Sequence, residues 1–368
     1  MEKLLFTRVR EIAELAKKLY EAGFKEYDFA DLVVRLYNQD LLSEVPLKFR
    51  RSDHFLKTSD FRDHVYSQVV YAGLILSDTH KSQIKENNTI PDEKDIFTTV
   101  HLPYLLPKPH THNFFEVVYV YDGSCTFFFD SEEKFLRTGD LCILAPESIH
   151  YVKTSKDSLV LSINIRQSTF DKTFWGLLEN NNLLTHFFMQ SLYNRHTTNY
   201  LTFSISDFAQ FNPLVQEIFD ESNITDSYSN NITISLVNFL FGKLLRNFGN
   251  TIHLYNDVSA SMFDREFPLM LRYIQANYTT TTLSSLSEVF HYSTVHISRM
   301  FKKNLNETFS TVLQTLKLEH AQVFLRDTDY TLAEITEMVG YKSPDHLSRA
   351  FKKKYALTPS EYRKTFKQ

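Results

Sequence analysis

Apolar residues recur at helical spacing along most of this chain and at strand spacing in one stretch. In 4–22, Leu5, Val9, Ile12, Leu15, Ala16 and Leu19 share one side of a 3.6-residue repeat with charged residues between them, which predicts an amphipathic helix. Further helices are expected within 28–42 and 61–78, and the polar run 81–96 predicts a loop or linker. From about 97 to 166 the pattern becomes strand-like. The run Glu116-Val117-Val118-Tyr119-Val120-Tyr121 precedes a turn at Asp122-Gly123. The runs 125–129, 141–144 and 159–165 follow, so short strands should close a small barrel or sandwich. Between 167 and 250 helical spacing returns. Ile234, Val237, Phe241, Leu244 and Leu245 predict a helix that packs on the barrel, joins two copies of the chain, or does both. Residues 250–264 read as a hinge.

Residues 265–366 read as helices throughout, and they contain a near-repeat. Ile297-Ser298-Arg299-Met300-Phe301-Lys302-Lys303 returns as Leu347-Ser348-Arg349-Ala350-Phe351-Lys352-Lys353. Each copy follows a Ser able to cap a helix, Ser293 or Ser343, and the second has Pro344 at the first helical position. Each copy is preceded by a short helix and a turn, His291-Tyr292-Ser293 in one case and Gly340-Tyr341-Lys342 with its cap in the other, the second turn being one residue longer. Ile297, Met300 and Phe301, like Leu347 and Phe351, should face inward. That leaves His296, Arg299, Lys302 and Lys303, and Asp345, His346, Ser348, Arg349 and Lys352, facing out. A longer helix over about 309–326 would act as a rigid spacer. Two basic helices held in this way suit consecutive major grooves of a duplex, about 34 Å apart.

Charge supports that use. The net charge of −4 hides an asymmetry: 262–368 holds 15 Lys and Arg against 11 Asp and Glu, and the remainder holds 25 against 33. A basic unit on an acidic body fits a polyanionic partner. Cys125 and Cys142 lie in apolar strand-like runs and read as reduced core thiols. No run approaches the roughly eighteen apolar residues of a membrane span, and the N-terminus lacks a signal-peptide core, so a cytoplasmic location without membrane contact is expected.

On the stretches Ser298-Arg299-Met300-Phe301-Lys302, Leu318 with Ala321, Ile335 with Val339-Gly340-Tyr341, and the run 351–363, residues 265–366 resemble the DNA-binding domain of the AraC/XylS family of bacterial transcription regulators. The resemblance implies two reading helices that contact bases in adjacent major grooves, with Val295, Ser298 and Arg299 in the first and Asp345, His346, Ser348 and Arg349 in the second. His296, Lys302, Lys303, Lys352 and Lys353 join them as DNA-binding candidates. Val295 offers only apolar contact, for example to a thymine methyl, whereas Arg can take guanine bidentately and Lys neutralises phosphate. The chain departs from the family at Asn306 and Ala356, where Gly is usual, and at Ser287 and Thr336, where Ala is usual. Ala356 in a left-handed cap would cost about 1 kcal/mol. Ser287 and Thr336 are expected to bond the preceding turn.

In the strand-rich part, His110, His112, Glu116 and Gly123 have the spacing of the first cupin motif, and Gly139, Pro146 and His150 resemble the second. His110, His112 and Glu116 share parity along a strand. The resemblance implies a cupin-like barrel that senses a small molecule, often a sugar, with His110, His112, Glu116, Tyr119, Tyr121 and His150 as effector-binding candidates. Phe127 and Phe129 could stack on a sugar or fill the core. No cofactor, metal or catalytic residue is expected. The alternative is a metal site of His110, His112, Glu116 and His150, and with it a metal-dependent cupin enzyme carrying an accessory helical domain.

The expected fold class is α+β: a cupin-like β-barrel sensor with flanking helices, plus an all-α domain of two helix-turn-helix units joined by a long helix. The expected divisions are 1–95, mainly helical and without assigned role; 96–166, the sensor barrel; 167–260, helical dimerisation or linker; and 261–368, DNA binding. The expected function is sequence-specific, effector-responsive transcription regulation and not catalysis. Double-stranded promoter or operator DNA, a small-molecule effector, a second copy of the chain and RNA polymerase are the expected partners.

Overall fold

The computed structural model of the chain describes residues 5–24, 27–72, 83–105, 107–130, 132–169, 187, 199–248, 251–254, 267–305 and 307–366. Most of the expected hinge at 250–264, the tail of the expected helix at 73–78, much of 167–198 and the Asn306 cap lie outside the described residues. Contacts gather the chain into two compact units. Residues up to 169 with 199–254 form one, and 267–366 form the other.

The first unit is built around two sheets. Strands β1 (Phe6–Arg8) and β2 (Val69–Tyr71) pair at its N-terminal edge. Strand β3 (Gln83–Ile84) runs parallel to β5 (Thr111–His112). The main sheet has six strands, ordered β13 (His253–Leu254), β12 (Tyr200–Ser204), β9 (Asp140–Leu144), β6 (Phe115–Asp122), β11 (Leu159–Ile165) and β4 (Ile96–His101). The second has β10 (His150–Thr154), β7 (Ser124–Phe129) and β8 (Glu132–Arg137) in that order. Their shared core includes Val118 and Val120 of β6, Phe127 and Phe129 of β7, Leu144 of β9 and Val160 of β11. Alternating strand parity sends these side chains inward. Cys125 and Cys142 lie in the same core as free thiols, and burial pushes Cys125 up to about 12, so it stays protonated. At the Asp122-Gly123 turn the backbone is left-handed, φ 83°, and a Cβ on Gly123 would sit 2.2 Å from Ser158 Oγ.

Helix α1 (Val9–Glu21) buries Val9, Ile12 and Ala16 against α2 (Phe29–Asn38), whose Asp28 cap accepts from Asp31 N at 2.9 Å. Three expectations are corrected here. Residues 6–8 are a strand and not the start of the helix. The expected 61–78 helix is α3 (Thr58–Val65), ending before Val69-Val70-Tyr71, which pairs with β1. A β-branched and aromatic run beside an open strand edge gains more from ladder bonds than from helix continuation. The polar 81–96 stretch holds β3 and a short helix, α4 (Glu86–Thr89). Lys94 in that stretch is buried, donating to the Glu221 carbonyl at 3.1 Å and Ser229 Oγ at 2.7 Å.

The 167–250 region is likewise not helical throughout. Tyr200–Ser204 is a strand that pairs with β9. Tyr200, Leu201, Thr202 and Phe203 are all buried, so the run has no polar face and no period to reveal it. Helices α5 (Phe208–Asn223) and α6 (Ser229–Phe248) then pack together, and both reach β4 of the main sheet. Val237, Phe241 and Leu244 of α6 are buried in this unit. Its exposed large apolar residues are Ile232, 42% exposed, and Phe239, 58% exposed, with Tyr228 just before the helix.

The second unit contains α7 (Phe267–Ala276), α8 (Leu283–Phe290), α9 (Thr294–Leu305), α10 (Phe309–Asp327), α11 (Leu332–Met338), α12 (Pro344–Tyr355) and α13 (Pro359–Phe366). The 19-residue α10 is about 28 Å long at 1.5 Å per residue. Among the described residues no helix is long and apolar enough to cross a membrane.

Candidate functional site

The repeated motif folds into two helix-turn-helix units. In the first, Thr282 caps α8 and His291, at φ 56°, ends it in the left-handed region. The chain re-enters α9 three residues later, with Ser293 Oγ accepting from His296 N at 3.2 Å. Ile297, Met300 and Phe301 are buried; Phe301 meets Phe267 edge-on at 5.0 Å and Phe309 at 5.6 Å. With that side anchored, Val295, His296, Ser298, Arg299, Lys302 and Lys303 are all exposed. An open cleft of about 350 Å³ runs beside them, lined by Leu283, Thr294, Val295, Ser298, Arg299 and Lys302.

The second unit repeats the design. Thr331 and Glu334 form a capping box on α11, and Ser343 Oγ accepts from His346 N at 3.3 Å to open α12 behind Pro344. Leu347, Ala350 and Phe351 are buried, while Asp345, His346, Arg349, Lys352 and Lys353 are exposed and Ser348 is half-buried. Five residues, 339–343, separate α11 from α12, against three between α8 and α9. A tyrosine from each turn packs on the histidine at the third position of its reading helix: Tyr292 on His296 at 4.8 Å and Tyr341 on His346 at 5.1 Å.

The departures from the family pattern have local answers. Ala356 adopts the left-handed cap, φ 61°, so the strain is present and the loop has not rearranged. Thr336 Oγ1 donates to the Leu332 carbonyl of the preceding turn at 2.6 Å. Ser287 does not bond backward; its Oγ donates forward to the Tyr292 carbonyl at 2.6 Å and ties α8 to its turn.

In the barrel, a buried cluster gathers around Glu116. Its Oε2 lies 3.1 Å from His112 Nε2 and 3.0 Å from His150 Nε2. Its Oε1 accepts from Ser162 Oγ at 2.5 Å and lies 3.3 Å from His101 Nε2. Burial alone would raise the Glu116 carboxyl, but hydrogen bonds from His101, His112 and His150 outweigh it and hold the group well below the usual range. Strand pairing explains the meeting. Glu116 stands beside Asn164 of β11, and Val160 and Ser162 on that strand oppose His101 and Thr99 of β4. His101 and Ser162 were not legible as site residues, because only the register of β11 on β6 brings Ser162 there, and that of β4 on β11 brings His101.

Of the expected sensor residues, His112, Glu116 and His150 come together. His110 stands beside them, with its ring 4.6 Å from that of His150 and its Nδ1 on the Lys108 carbonyl, and is not one of the converging donors. Burial and His150 push it down to about 4, so it is neutral near pH 7. Tyr119 and Tyr121 are on the other face of β6, away from the cluster. Tyr119 donates to Asn212 Oδ1 at 2.9 Å, and Tyr121 accepts from Gln216 Nε2 at 2.7 Å, both partners on α5. Odd positions of β6 meet the helix and even positions meet the barrel interior, which removes both tyrosines from an interior ligand site. Phe127 and Phe129 belong to the inter-sheet core, with Phe127 6.2 Å from the His150 ring.

Two stretches of the chain match known families. Residues 99–205 match the family described as AraC-like ligand binding domain, and residues 286–365 match a helix-turn-helix domain family. The chain is 24% identical to a Haemophilus influenzae protein named as an uncharacterized HTH-type transcriptional regulator, over 66% of this chain and 84% of that one. It is 21% identical to the HTH-type transcriptional activator RhaR of Yersinia pseudotuberculosis, over 75% of this chain and 91% of that one. It is 30% identical to the raffinose operon transcriptional regulatory protein RafR of Pediococcus pentosaceus, over 41% of this chain and 54% of that one.

Proposed function

This chain is an AraC-type transcription regulator with a ligand-binding domain and a helix-turn-helix domain, and from that premise we propose that it binds double-stranded operator DNA through α9 and α12 together, under the control of a carbohydrate effector held in the barrel. The observation that carries the DNA part is the matched pair of exposed basic helices, each anchored by a buried Phe and both joined by α10. In this reading Arg299 and Arg349, with Val295, His296, Ser298, Asp345, His346 and Ser348, address base edges. Lys302, Lys303, Lys352 and Lys353 take phosphates. The barrel's buried polar cluster supports a small polar ligand, and the raffinose operon regulator among the relatives favours a carbohydrate. An effector acts by binding one arrangement of the protein more tightly than another.

The reading extends to assembly. Ile232 and Phe239 lie seven residues apart on the outer side of α6, four and eleven residues after Tyr228, with exposed Ser235 between them. That is heptad spacing with a small residue at the seam, suited to a second copy of the same helix in a homodimer. Activation through RNA polymerase follows the relative named as an activator.

Footprinting of the chain on DNA from its own upstream region tests the core of this reading. Protection should cover two half-sites about one helical turn apart. Unchanged protection with both Arg299→Ala and Arg349→Ala in place would overturn it.

A further inference from the structure

The two reading helices are copies in shape as well as in sequence. Each is 12 residues long. Each opens on a serine whose Oγ accepts from the main-chain N–H of a histidine three residues on, at 3.2 Å for Ser293 and 3.3 Å for Ser343. Each is seated by two apolar side chains at the same offsets, Ile297 with Phe301 and Leu347 with Phe351, all at 0% exposure. The same cap and the same anchors give the outward side chains the same height along the helix and the same angle about it. The histidine three residues after the cap, the serine five after, the arginine six after and the lysines nine and ten after are the same in both copies. Of the six groove-facing positions, the one that differs is the second after the cap. It is Val295 in α9, 59% exposed, and Asp345 in α12, also exposed.

Identical side chains held alike read identical base edges, so the half-sites they select share bases, including the guanine that an arginine takes through O6 and N7. The differing position breaks that identity. The Val295 isopropyl group has no donor or acceptor, and the groove feature it can bury against is the thymine methyl. The Asp345 carboxylate only accepts. Phosphates repel it, and guanine O6 and N7 and thymine O4 are acceptors like itself. Adenine sets an acceptor, N7, beside its amine. Cytosine offers an amine without a neighbouring acceptor, and so suits the carboxylate. Arg349 Nε lies 3.4 Å from the Asp345 carbonyl, which keeps the guanidinium on the same helical turn as the carboxylate. The four residues between them rise about 6 Å, close to two base-pair steps. We infer that one chain recognises two versions of a single half-site. They share the guanine read by Arg299 or Arg349 and differ within about two base pairs of it, where α9 selects thymine through Val295 and α12 selects cytosine through Asp345. The inference rests on the operator-binding reading and adds to it the relation between the half-sites and the bases that tell them apart.

The test is selection of bound duplexes from a randomised pool by the full-length chain. The wild type should enrich two half-sites about one helical turn apart, alike except for thymine in one and cytosine in the other. Val295→Asp should turn that thymine into cytosine, and Asp345→Val should turn that cytosine into thymine. In competition binding each variant should prefer its new site to the wild-type site by roughly five- to a hundredfold, the effect of one base-pair mismatch. Asp345→Asn should move the choice at its base pair to adenine, which asparagine takes bidentately. An aspartate that only favoured the first turn of α12 would, on substitution, lower the melting temperature and leave base choice unmoved. Enrichment of two unrelated half-sites, or base choice unaltered in Val295→Asp and Asp345→Val, overturns the inference and leaves operator binding standing. A wild type that enriches no sequence at all removes operator binding and the inference together.

Discussion

The Lys317 ammonium, midway along α10, donates to the Gly340 carbonyl in the turn of the second helix-turn-helix at 2.8 Å. It also reaches the Thr279 carbonyl, between α7 and α8, at 3.3 Å. Gly340 sits so close to Thr279 that a Cβ there would lie 2.5 Å from the Thr279 carbonyl oxygen, and its φ of 68° is left-handed. Tyr278 stacks on His320 of α10 at 4.2 Å beside this junction. The two reading units are therefore locked at a second point besides their covalent spacer. Lys317→Met should remove a charged hydrogen bond worth roughly 1.5–3 kcal/mol. Part of that loss should appear as weaker binding to a two-half-site operator, with single half-site binding little changed. Fluorescence anisotropy on the two duplexes measures both; equal loss on both would show that the lysine sets stability and not spacing.

Arginine and lysine changes on the reading helices should differ in kind. Arg299→Ala and Arg349→Ala should each cost about 1–3 kcal/mol on the cognate duplex and relax preference at a particular base pair. Lys302→Ala and Lys352→Ala should weaken all duplexes more evenly and lower the slope of log affinity against log salt by about 0.9 per lost phosphate contact. Competition binding across a salt series separates the two.

Ala356→Gly should stabilise the helical unit by about 1 kcal/mol, since glycine adopts the left-handed cap without Cβ strain. Urea unfolding followed by a probe in 267–366 should show a higher midpoint. Gly340→Ala, at the other left-handed position, should do the reverse and by more, because its Cβ also collides with main chain.

On the proposed homodimer reading, Ile232→Asp with Phe239→Asp should give monomers in sedimentation equilibrium, while far-ultraviolet circular dichroism stays unchanged because both side chains are exposed. Persistence of the dimer would place its interface elsewhere.

Much of the DNA-reading unit was legible in the chain because its signals are local. Caps at Ser293 and Ser343, buried Phe301 and Phe351, and basic residues spaced three to four apart all act within one or two turns of helix. The barrel was legible as strands and turns, and its motif pointed to His112, Glu116 and His150. Tyr119 and Tyr121 have the opposite parity to Glu116, so alternation already sets them on another face; that this face meets a helix depended on the docking of α5. The strand at 200–204 escaped notice because burial on both faces erases period.

The chain by itself determined where α9 and α12 start, which side of each turns outward, and that two such helices exist. These follow from backbone hydrogen bonding and short-range packing. Tertiary structure alone decided that His101 and Ser162 would join Glu116, that His110 would stand apart, and that Lys317 would bind the turn at Gly340. Each of those depends on strand register or helix docking between residues far apart in sequence, where no local preference reaches.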